Sequence, residues 1–163
     1  MIVVADTSVL INLCRVGQGG LFKKLFHEVV IPPEVAAEFI RLAGCTSRFA
    51  GLKVPAGIKQ QSPTNLLAAV IDAPGLDSGE AAALSLAVEI HADAVLIDER
   101  RGYEVAVQLG LRTLGILGIL LRAKSAGCIP AVKPVLDALR QDAGFWLSEA
   151  LRKQVLTAAG ENS

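Results

Sequence analysis

Four carboxylates stand where an acid is unexpected. Asp6 ends the apolar run Ile2-Val3-Val4-Ala5, and Asp98 ends a second run, Ala94-Val95-Leu96-Ile97. Glu38 borders the apolar stripe of a helical segment, beside Val35 and Leu42. Glu80 falls between Leu84 and Ala87 on a helical face that is otherwise apolar. A buried, unpaired carboxylate is costly, so Glu80 needs a cation, a donor or a proton. Like charges brought together raise one another's pKa, and a cluster of four implies a compensating cation. Oxygen donors without nearby His or Cys select Mg²⁺ or Mn²⁺. Such ions bind phosphates, and the chemistry they suit is metal-assisted hydrolysis of a phosphodiester.

Each acid also has an ordinary explanation. Asp6 and Asp98 could be helix N-caps. Asp77-x-x-Glu80 has the form of a capping box, in which the glutamate bonds back to the chain. Glu38 could be a solvated residue paired with Arg41 three positions on. Together these explanations require four coincidences. No serine or cysteine nucleophile with a base is evident, and no glycine-rich phosphate loop appears.

The elements that must position these acids are legible as alternating strands and helices. Ile2 to Ala5 and Ala94 to Ile97 lack alternation and read as buried strands of a parallel sheet. Asp6 then stands where a strand hands over to a helix over Ser8 to Arg15, at the carboxyl edge where open α/β sheets bind ligands. Further helices are predicted over Leu21–Phe26, from Pro32-Pro33 to Ala43, over Asn65–Ile71, from Asp77 to Ile90, beyond Asp98 to Leu109, and over Gly115–Ala126. Val132–Leu139 and Leu147–Ala158 read as amphipathic helices. Val29–Ile31, Ile58–Gln61 and Arg112–Leu114 read as short strands, the second at an edge. Proline opens the third helix favourably, since its missing N–H would be unpaired there. The polar side of the Asp77–Ile90 helix is narrow, essentially Ser85 and Glu89.

With 163 residues the chain is read as one domain with a substantial core. It is 52% hydrophobic with mean hydropathy +0.49, greasy enough to suggest a buried subunit interface as well. No apolar stretch approaches the roughly 18 residues of a membrane span, and no signal peptide is recognisable. Sixteen basic and sixteen acidic residues cancel, so a nucleic-acid partner needs a local basic patch. Cys14, Cys45 and Cys128 form neither a ligand spacing nor a disulfide framework, which points to the reducing cytoplasm.

Val4-Ala5-Asp6-Thr7-Ser8, Val35-Ala36-Ala37-Glu38, Leu76-Asp77-Ser78-Gly79-Glu80-Ala81 and Leu96-Ile97-Asp98-Glu99-Arg100-Arg101-Gly102 together resemble the PIN-domain nucleases. Within that family the chain is most similar to little-characterised prokaryotic PIN-like proteins related to toxin ribonucleases. The stretch Gly115 to Lys124 is typical of that group. The resemblance covers residues 1–128, leaving 129–163 as a C-terminal helical extension packed on the same domain.

The resemblance implies a three-layer α/β/α sandwich with a central, mainly parallel sheet, and metal-dependent RNA cleavage by Asp6, Glu38, Glu80 and Asp98. These four would bind Mg²⁺ or Mn²⁺, with Asp77 and Glu99 as second-tier ligands. RNA contacts are expected from Arg100 and Arg101, with Thr7 or Ser8 donating to an acid or to phosphate. Many relatives are homodimeric toxins of toxin–antitoxin pairs, which implies an antitoxin protein as a further partner. The chain departs from the toxin pattern in two places. Leu96 stands where threonine is frequent, and Glu80 stands where many relatives have aspartate. The alternatives are a non-catalytic PIN-like module that binds RNA or protein, and a receiver-like phosphoacceptor. The latter wants paired N-terminal acids, and Asp6 has no acidic neighbour.

Overall fold

The computed structural model describes residues 1–162. Five parallel strands form one sheet in the order β3-β2-β1-β4-β5. They are β1 (Ile2–Ala5), β2 (Glu28–Ile31), β3 (Lys59–Gln60), β4 (Ala94–Leu96) and β5 (Thr113–Leu114). β1 lies between β2 and β4, with Val4 opposite Val30 on one side and Val95 on the other. The chain thus winds outward in one direction through β2 and β3, then crosses back to β4 on the other flank of β1. The crevice at the carboxyl ends of β1 and β4 is the switch point of such a sheet.

Side-chain alternation divides the core into two layers. Val3, Ala5, Val29, Ile31, Ala94 and Leu96 face one layer. It is covered by α1 (Thr7–Arg15), α2 (Leu21–Leu25), α3 (Pro33–Cys45), α7 (Ile116–Ser125), α8 (Lys133–Asp142) and α9 (Glu149–Ala158). Val4, Val30, Val95 and Ile97 face the other, under α4 (Ala68–Ile71), α5 (Ser78–Glu89) and α6 (Arg100–Gln108). The architecture is an α/β/α sandwich. Val132, Val135, Leu136, Leu139, Val155 and Leu156 belong to the first apolar cluster, so the last two helices share its core. Among the described residues no helix is long and apolar enough to cross a membrane.

The elements deviate from the sequence pattern in instructive places. α3 carries Gly44 within its last turn instead of stopping before it. α4 begins only at Ala68, because Leu67 is extended and its N–H donates to Ser85 Oγ at 3.1 Å. Ser85 is therefore buried rather than part of a polar stripe. α9 begins at Glu149, where Ser148 Oγ accepts from Leu151 N at 3.2 Å.

Candidate functional site

Asp6 follows β1, and its N–H donates to Leu96 O at 3.0 Å, which fixes it at the β1–β4 edge. It holds the N-cap position of α1 but makes no side-chain capping bond, so its carboxyl is not used as a cap. Asp6 is only 4% exposed. Burial pushes the carboxyl up to about 7, with the charges of Asp77, Glu38 and Glu99 adding to it and the Thr7 amide opposing.

Glu80 lies on the first turn of α5, 6% exposed. Asp77 Oδ1 accepts from Glu80 N at 2.8 Å, so half of the capping box forms. The return bond is missing: Glu80 Oε2 is buried without a hydrogen-bond partner. Burial pushes this carboxyl up to about 8, followed by the charge of Asp77, its hydrogen bond with Asp77, and the charges of Asp6 and Glu99. Gly102 on α6 supplies the room: a Cβ there would meet Ile97 Cδ1 and stand 3.0 Å from Glu80 Oε2.

Glu38 is half-buried on α3 and makes no ion pair with Arg41. Burial and then Asp77 raise its pKa, against Arg41 and the Thr7 hydroxyl. That hydroxyl lies near enough to moderate the charge, yet Thr7 Oγ1 and Ser8 Oγ are both buried without hydrogen-bond partners of good geometry. Gly79 lies between these acids: a Cβ there would stand in ordinary contact, 3.4 Å from both Asp77 Oδ1 and Glu38 Oε2.

Asp98 is placed differently. The residue is solvent-exposed, but its carboxyl packs on Gly115 and accepts from Ile116 N at 3.2 Å and 3.3 Å. It thus caps α7, a helix other than its own, while Glu99 takes the N-cap position of α6. Desolvation of that packed carboxyl pushes Asp98 up to about 6; the Ile116 amide lowers it and Glu99 raises it. Asp6, Glu38 and Glu80 are brought together with Asp77 and Glu99, whereas Asp98 joins them electrostatically through Glu99.

Glu34 is the acid that sequence reading passed over. Its Oε2 is buried without a partner, one turn before Glu38. With Glu38, Arg41, Asp77 and Ser78 it lines a groove of about 450 Å³. The four-residue spacing of Glu34 and Glu38 was the available signal. Arg100 is 93% exposed on its side chain and pairs with Glu104 at 3.3 Å. Arg101 is held inward, with Nε donating to Pro74 O at 2.7 Å and a guanidinium nitrogen 3.1 Å from Glu104.

The donor set fits a hard divalent cation: clustered carboxylates, an orphaned buried oxygen on Glu80, and no histidine or cysteine among them. Among the described residues no three acids converge at ligand distance. Residues 2–161 match the family described as PIN domain. This chain belongs to the PIN-domain family. The match spans α8 and α9 as well as the sheet. The chain matches no curated protein and no solved structure. PIN domains are nuclease-type folds that generally use divalent metal ions.

Proposed function

We propose that this PIN domain is an Mg²⁺- or Mn²⁺-dependent endoribonuclease, with Asp6, Glu38, Glu80 and Asp98 as its acids and Asp77 and Glu99 supporting them. The observation that carries the reading is Glu80, a buried carboxyl with an unpartnered oxygen at the crevice where Asp6 ends the central strand. Asp6 would hold the ion, and Glu38 would join it from α3. Asp98 would contribute from the β4 end. Glu80 would be a ligand or would orient the attacking water. When bound, the ion supplies Lewis-acid polarisation of the phosphoryl group and a more acidic water. The Thr7 and Ser8 hydroxyls, buried without partners of good geometry, would donate to a neighbouring acid, Thr7 to Glu38. Arg100 is the accessible cation beside the site.

A toxin role with an antitoxin partner, and a homodimer, extend this proposal from the family resemblance. The rival is a non-catalytic PIN-like module that binds RNA or protein, and the lack of three acids at ligand distance favours it. Cleavage of a structured RNA with saturating Mn²⁺ decides between them. Wild type should cut and Asp6→Asn should lose at least about 10²-fold in rate. A wild-type protein that binds RNA yet leaves it intact would overturn the nuclease reading.

A further inference from the structure

We propose that a second groove, framed by Lys23, Lys24 and Lys53 at the opposite edge of the sheet, binds the phosphate backbone of a single-stranded RNA. α1 runs back from the carboxyl end of β1, and α2 leads into the amino end of β2. The segment before β3 arrives at the same edge. A groove of about 530 Å³ opens among them, lined by the three lysines, Cys14, Leu52, Pro55, Ala56 and glycines of the loop between α1 and α2. No acid lines it.

The charge is local and uncompensated. Lys23, Lys24 and Lys53 are exposed and make no ion pair among the described residues, whereas Lys59 and Lys124 are paired with Glu28 and Glu161. Burial pushes the Cys14 thiol up to about 11, so it stays neutral and adds no opposing charge. Glu28 and Asp93 stand at this end of the sheet too, but Glu28 is paired with Lys59 and Asp93 accepts from Ile2 N, and neither lines the groove.

Glycine shapes the floor. A Cβ at Gly19 would stand 3.2 Å from Cys14 Sγ and 3.3 Å from Pro55 Cγ, whereas Gly20 faces open space. The lysines reach in from two separate segments, and the floor of Leu52, Pro55 and Ala56 offers no aromatic ring for stacking a base. An open channel carrying cations from two segments suits a passing phosphate backbone better than an enclosed nucleotide. Recognition should be of phosphates, with little base preference.

The nuclease reading enters only in choosing RNA as the polyanion, and binding can be measured without it. The probe is a labelled oligouridylate followed by anisotropy in EDTA, from roughly 50 to 200 mM salt. Compared with wild type, Lys23→Gln/Lys24→Gln/Lys53→Gln should bind about 10-fold or more weakly, and its log–log salt slope should be shallower by about 2. Lys53→Glu alone should weaken binding in the same direction, and melting of both variants should match wild type. Cleavage of a short substrate confined to the acid site should be unaffected by the lysine changes. Lysine-dependent binding by a wild-type protein that cannot cut would sustain this groove while removing the nuclease reading. Unchanged affinity and slope in the triple variant would overturn the proposal, as would displacement of the strand by equimolar free UTP.

Discussion

Replacing Glu80 by glutamine separates a structural cap from a reactive acid. The substitution conserves shape and leaves the backbone bond from Glu80 N to Asp77 Oδ1 intact. What it removes is a proton equilibrium. In the metal-free protein Glu80 is pushed from 4.5 to about 8, first by burial and then by Asp77. Its folded pKa lies above its unfolded value, so its stabilising contribution is complete below pH 4.5 and is lost as pH rises through 8. The whole interval corresponds to on the order of 5 kcal/mol. Coupling to Asp6 and Asp77 makes a few kcal/mol the fair expectation for this residue alone. For a chain of this length each kcal/mol moves the melting temperature by about 2–4 °C. Between about pH 5 and 9 in EDTA, wild type should therefore lose roughly 10 °C more than Glu80→Gln. Glutamine cannot ionise, and its curve should be the flatter one. Metal-dependent single-turnover cleavage should fall by ~10²–10³ in the same variant. Parallel melting curves would refute the protonation argument, and near wild-type cleavage would leave Glu80 as a cap residue only.

Three further outcomes follow from the same geometry. Mg²⁺ or Mn²⁺ should raise the melting temperature by mass action, more at pH 8 than at pH 5, because Asp6 at about 7 must lose its proton to bind an ion; Asp6→Asn should abolish most of the rise in differential scanning fluorimetry. Arg100→Ala should flatten the salt dependence of RNA binding by roughly 0.7 in log–log slope, whereas Arg101→Ala, which breaks the bond to Pro74 O, should show mainly as a lower melting temperature. Glu161 accepts from Val132 N at 2.7 Å, Lys133 N at 3.0 Å and Lys124 at 2.9 Å, which holds it at about 2; Glu161→Gln should cost about 1.5–3 kcal/mol in urea unfolding. That contribution is present above pH 4.5 and fades as pH falls toward 2.

The sheet was readable because burial on both faces removes alternation, and Ile2–Ala5 and Ala94–Leu96 are buried on both. β3 was legible only as an edge, and it is short: Lys59 and Gln60 pair with Val30 and Ile31, and Gln61 N adds one bond to Ile31 O. The start of α4 was not legible, since Leu67 N finds Ser85 Oγ eighteen residues away. The site divides along the same line. Asp6 and Glu80 announced themselves by breaking apolar patterns, a local signal. The bond from Ile116 N to Asp98 joins two segments whose proximity only the β4–β5 pairing creates. Glu34 was hidden because its helix face reads as solvated until α5 packs against α3.

The arrangement of the acids follows from the order of the strands. Asp6 sits on the central strand, so every other acid must come to it from a neighbouring connection. Glu38 comes from the helix after β2, Glu80 from the helix before β4, and Glu99 from the turn after β4. Gly102 keeps a side chain out of the space beside Glu80. Asp6 and Glu80 are buried between the sheet edge and the helices, so they have little room to relax their repulsion by moving apart. Protonation is the relief available to the metal-free protein, and it leaves Asp6 and Glu80 with pKa values near neutrality. A divalent cation entering that crevice would exchange for those protons, so apo stability and metal affinity must move in opposite directions with pH. The burial that makes these carboxylates costly on their own is what would make them strong ligands once a cation is bound.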